Sequence, residues 1–153
     1  MKSTCNKLSA AILLSLGLSS TAWAEPAISP CGGVTRLDTL VEPWSESTRT
    51  FANGNIRIAH VDTGEPACCS YHLVILAPNP EDELGYRQCV ALNDGGEWTG
   101  FQSIDFAGIE SSYEPGLGLL LSVPAERYID GHQSTPLLIG VRINQATGAI
   151  TIE

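Results

Sequence analysis

Beyond residue 7 the chain contains no lysine: Lys2 and Lys7 are its only two, and six arginines make up the rest of its eight basic residues. Residues 25–153 therefore offer no lysine amine for Schiff-base chemistry or for a lysine-assisted nucleophile. In the same stretch six arginines face seventeen carboxylates, a formal charge of −11. Phosphate backbones and anionic headgroups are held by arginine and lysine that release counterions or meet a negative surface potential, so this composition disfavours nucleic acid and membrane surfaces as partners. A basic protein or a cation would be drawn to it, although solubility alone explains such acidity.

Catalytic signatures are missing as well. The chain has no Gly-x-Ser-x-Gly elbow, no Ser-x-x-Lys, no His-Glu-x-x-His and no phosphate-cradling glycine loop. No cofactor and no metal are expected. His60 and His72 would share an ion with Asp62 only if their strands paired in a suitable register. Glu81-Asp82-Glu83 reads as a solvated loop tip, and Asn93-Asp94-Gly95-Gly96-Glu97 as a turn without the alternated ligands of a calcium loop. Catalytic sets assembled from distant segments leave no local trace, so a hydrolase with dispersed residues is kept as an alternative. Its base would be one of the three imidazoles, His60, His72 or His132.

No apolar run reaches the roughly twenty residues that a membrane-crossing helix needs. The run from Leu8 to Leu18 follows Lys2 and Lys7 and precedes the small-residue pattern Ala22-Trp23-Ala24. Those three parts make a secretory signal peptide, so residues 1–24 are expected to be cleaved and Glu25 to become the N-terminus of a periplasmic or secreted chain. Cys5 precedes the apolar run and Cys31 follows Ser29-Pro30, so neither sits at a lipid-attachment position.

Four cysteines remain after cleavage, Cys31, Cys68, Cys69 and Cys89. In an oxidising compartment they imply two disulfides, with three possible connectivities. If Cys68 and Cys69 lie on a strand their side chains face opposite sides, which sends them to different partners and leaves Cys31 for one and Cys89 for the other. A Cys68–Cys69 bridge is the strained alternative. Neither a Cys-x-x-Cys pair nor zinc-type spacing is present.

Residues 25–54 are rich in Pro, Ser, Thr and Gly and are expected as an extended arm, with one short helical turn where Val34, Leu37, Leu40, Val41 and Trp44 fall at roughly helical spacing. From residue 55 to 153, period-two patterns alternate with turn signals, the pattern of a single all-β domain, an antiparallel sandwich or partly closed barrel of about seven strands. Tyr71 to Ala77 is apolar on both faces and should be a covered central strand. Glu114-Pro115-Gly116-Leu117 predicts a type II turn. Leu117, Leu119, Leu121 and Val123 alternate until Pro124, where an edge or a bulge is expected. Gln145-Ala146-Thr147-Gly148 predicts a hairpin loop before a last strand.

Together these features predict an exported, non-catalytic binding domain of the cell envelope, acting on a basic protein or a small ligand through loops at one end of the fold. A structural envelope component is the third reading. Trp98 and Phe101, flanking Gly100, are the aromatic pair on which a sugar or a partner would stack, and they would equally serve as packing at a core edge.

Overall fold

The computed structural model describes residues 24–97, 99–131 and 133–153. The expected signal peptide up to Trp23, together with Trp98 and His132, lies outside the described residues. Among the described residues ten strands follow in chain order: β1 Ala27–Pro30, β2 Thr48–Phe51, β3 Ile56–Asp62, β4 Tyr71–Pro78, β5 Arg87–Asn93, β6 Ser103–Ile104, β7 Glu110–Glu114, β8 Gly118–Asp130, β9 Gln133–Ile143 and β10 Ile150–Ile152. They form two antiparallel sheets, one ordered β1-β5-β4-β3-β2 and the other β10-β9-β8-β6, with β7 also paired to β8. The architecture is the expected all-β sandwich. The seven strands read from periodicity are present, and β1, β2 and the two-residue β6 are additional.

Alternation along the strands makes the core. Ile56, Ile58, Leu73, Ile75 and Leu92 of the first sheet share one buried cluster with Leu121, Val123, Val141 and Ile143 of the second. Each such aliphatic side chain, fully removed from water, contributes about 1.5–3 kcal/mol. The expected Pro115-Gly116 turn closes β7 onto β8, with Gly116 at φ +89 and the Leu117 amide donating to the Glu114 carbonyl at 3.2 Å.

The segment expected as an arm supplies both edges of the first sheet. β1 pairs with β5, Ser29 opposite Ala91, and β2 pairs with β3, Phe51 opposite Ile56. Between them the chain crosses the outer face of the sheet. It is fixed at one end by the Cys31–Cys89 disulfide and at the other by the Leu40–Val61 bridge and a Val41 amide that donates to the His60 carbonyl at 3.1 Å. Val34 is buried on this path and Leu37–Thr39 form a 3-10 turn. β4, at the centre of its sheet, thus buries His72 and Val74 as well as Leu73 and Ile75.

Two expectations fail for identifiable reasons. Cys68 and Cys69 bond to each other, and Cys31 bonds to Cys89 across a Cα–Cα distance of 5.3 Å. Strand alternation does not govern the adjacent pair because residues 65–70 form a loop in which Cys69 takes φ +75. Pro124 makes β8 neither an edge strand nor bulged there: β8 runs on to Asp130 and pairs with β9 in unbroken register through Pro124, its one irregularity lying between Tyr128 and Asp130. The Pro124 carbonyl accepts the Asp105 amide, and a strand residue points its nitrogen the same way as its carbonyl. The missing N–H therefore faces the interval between the pairing of β7, which reaches Ser122 of β8, and that of β6, which starts at Ala125 of β8.

Pro136 in β9 is accommodated similarly. It lies opposite Glu126, whose carbonyl accepts the Gln102 amide on the far side of β8. Glu126 and Pro136 exchange no ladder bond, and the proline nitrogen faces outward beyond β10, which pairs only with residues 141–143.

Candidate functional site

At one end of the sandwich the β2–β3 turn, the β7–β8 hairpin and the β9–β10 loop enclose a cleft of about 510 Å³. The β2–β3 turn has three consecutive left-handed residues, Ala52 at φ 52, Asn53 at φ 56 and Gly54 at φ 84. For Ala52, which has a Cβ, this conformation costs about 1–2 kcal/mol. Its backbone is held from outside the cleft: Arg87 donates to the carbonyls of Gly54, at 3.1 Å, and Asn55. On the opposite wall the Asn144 amide donates to the Gly116 carbonyl at 3.1 Å, joining the β9–β10 loop to the β7–β8 turn, and Gln88 donates to the Gly148 carbonyl at 2.6 Å.

With the walls braced by neighbours, the lining side chains themselves are left unengaged. Asn53, Asn55, Ser111, Tyr113 and Gln145 line the cleft beside Phe51 and Leu119. Among the described residues none of the five polar side chains makes a side-chain hydrogen bond. Among the described residues no charged side chain lines the cleft, although the domain as a whole is strongly acidic. The arrangement presents neutral donors and acceptors around an apolar floor, which suits binding and orientation of a small molecule.

A second concavity, about 340 Å³, lies where residues 35–40 cross the first sheet, with Leu37, Leu40, Val61, Val74 and Leu76 as its aliphatic walls. A third, about 310 Å³, brings His60 together with Glu42, Glu46 and Asp105.

His60 and His72 do not converge. Val61 pairs with His72 and Leu73 with His60, so the two imidazoles leave opposite faces of the first sheet and no shared ion site with Asp62 is possible. His60 stacks on Phe106, with ring centroids 5.6 Å apart, and its Nε2 has no partner. His72 is fully buried; its Nδ1 meets Asn93 Oδ1 at 2.7 Å, and Asn93 donates in turn to Ser29 Oγ at 2.8 Å. Burial pushes the pKa of both imidazoles below the ordinary value, and for His72 the Asn93 contact and Asp62 offset this only in part. No described histidine is hydrogen-bonded to a hydroxyl or a thiol, the contact by which a base activates a nucleophile. Ser47, in the same groove as His60, donates its hydroxyl to the Val41 carbonyl instead.

The remaining sequence candidates serve the framework. Phe101 has no exposed surface and exchanges backbone hydrogen bonds with Tyr71, so it packs the core and presents no stacking face. Asp82 organises its loop by accepting the Leu84 and Tyr86 amides at 2.9 and 3.1 Å. Asp94 is ion-paired with Arg127, which donates from Nε at 2.8 Å and raises its own pKa mainly through that hydrogen bond. The pair joins the end of β5 to β8 across the two sheets. Cys69 offers its carbonyl to the Gly100 amide at 2.8 Å.

Sequence reading missed the end cleft because its polar residues come from separate turns and strands that only the topology brings together. The one local signal was the Asn53-Gly54 dipeptide, a turn former. Comparison with known protein families, with curated proteins and with solved structures returns no match to this chain.

Proposed function

We propose that this chain is an exported, non-catalytic binding domain that holds a small uncharged ligand in the cleft formed by the β2–β3, β7–β8 and β9–β10 connections. The observation that carries the reading is the character of that cleft: five polar side chains with unspent hydrogen-bonding capacity and no charge, in a domain whose formal charge is −11. Among the described residues no carboxylate lines this cleft, whereas Glu42, Glu46 and Asp105 stand in the groove beside His60, so a ligand held here would not be selected by the domain's acidity. Export is supported by the tripartite first 24 residues and by two disulfides, which persist in oxidising compartments.

The test is an NMR titration with neutral, cationic and anionic fragments. Neutral fragments should shift the amides of Asn53, Asn55, Ser111 and Gln145 and do so equally across a roughly tenfold range of ionic strength. Shifts confined to cationic fragments or basic peptides, located elsewhere and lost in salt, would instead support a basic protein partner. Mass spectrometry of the exported chain should place its N-terminus at Glu25.

A further inference from the structure

We infer that the ligand class of the end cleft is a neutral saccharide, a step that rests on the cleft being a ligand site as proposed above. Tyr113 carries the argument. It stands on β7 at the cleft wall with 67% of its surface exposed, an aromatic ring kept out of the core beside four uncharged hydrogen-bonding side chains. Such a ring presents an apolar face and a polar hydroxyl at once. A pyranose is complementary to it, with a C–H face to lie on the ring and a rim of hydroxyls.

Each sugar hydroxyl both donates and accepts, and so needs partners of both kinds. Asn53, Asn55 and Gln145 each bring a carbonyl oxygen and an NH2 group, and Ser111 brings a hydroxyl that does either. An anionic sugar is poorly served, because among the described residues no arginine or lysine lines the cleft to meet a carboxylate or phosphate and the surrounding field is negative. The volume of about 510 Å³ falls in the range of small-ligand sites. The braced turns fix the backbone that carries these amides before the ligand arrives, which limits the backbone share of the ordering cost of binding.

The experiment uses calorimetry and amide NMR on the full exported domain. The probes are neutral hexoses, N-acetylhexosamines and their disaccharides, the matching uronic acids, and, as non-sugar probes, an uncharged nucleobase and a simple amide. At least one neutral sugar should shift the cleft amides, and its uronic acid should bind about tenfold more weakly or not at all. Tyr113→Ala should weaken that sugar about tenfold or more, Tyr113→Phe should retain binding within about threefold, and Gln145→Ala should weaken it about 2–10-fold. Thermal midpoints should barely move, because Tyr113 and Gln145 are not core residues. Cleft shifts caused by the nucleobase or by the simple amide but by no sugar would overturn the saccharide assignment and leave the binding-domain reading standing. No cleft shift with any probe would overturn both.

Discussion

The two disulfides of this domain do different work. Cys31 and Cys89 are 58 residues apart in sequence and lock the end of β1 to β5 at the point where the chain begins to cross the outer face of the sheet. In the chain-entropy account, closing a loop of that size restricts the unfolded state enough to contribute about 4 kcal/mol. Cys68 and Cys69 are neighbours, so their bond closes almost no loop and restricts the unfolded chain very little. What it fixes is the path of residues 65–70, where Cys69 sits at positive φ and turns its carbonyl toward Gly100. A covalent bond of one chemistry thus acts in one place on stability and in the other on shape.

The sharpest way to break this comparison is to replace both Cys31 and Cys89 by serine. A loss of about 4 kcal/mol is expected in urea unfolding, and a loss under about 1 kcal/mol would show that the outer crossing holds without its covalent anchor. Next in size is Gly100→Ala. Its Cβ would lie 2.3 Å from the Cys69 carbonyl oxygen and 2.8 Å from the Tyr71 nitrogen, so backbone must move, at a cost of about 1–3 kcal/mol. Hydrogen exchange should quicken first in residues 65–71 and 99–101. Replacing Cys68 and Cys69 by serine should cost less than about 1 kcal/mol while changing amide shifts in those same two segments. A large global loss from that pair would erase the distinction.

Acid is the gentlest probe, and it reaches the edge of β1 that the Cys31–Cys89 bond also secures. Ser29, Asn93 and His72 link β1, β5 and β4 without a covalent bond. The folded pKa of His72, like that of His60, is depressed by burial below the unfolded value of 6.5, so the unfolded chain takes up protons first. Stability from these groups is therefore full above about pH 7 and is lost as pH falls below about 6.5. Thermal midpoints measured down that range should decline, and His72→Gln should flatten part of the slope. A midpoint that stays level to pH 5 would contradict the buried, neutral assignment.

What could be read in advance followed the length of each pattern. Leu119, Leu121 and Val123, or Ile139, Val141 and Ile143, repeat often enough to declare a strand and its inward face. β1 and β2 have four residues each and offer two inward positions apiece, too few to stand out from a segment rich in proline, serine and threonine. The cysteine pairing was misread because a strand was assumed where Pro66 and a left-handed Cys69 make a loop. The cleft was invisible for another reason. Asn53, Ser111, Tyr113 and Gln145 are ordinary polar and aromatic residues in their own segments and become a set only when the β2–β3 turn, β7 and the β9–β10 loop meet at one end.

Pro136 has a consequence for how these molecules behave when crowded. An open strand margin is a template on which a second chain can lay down its own hydrogen bonds and begin an aggregate. Beyond the last residue of β10, β9 would be such a margin, but Pro136 places a position without a donor there and interrupts the row that an incoming strand would need to copy.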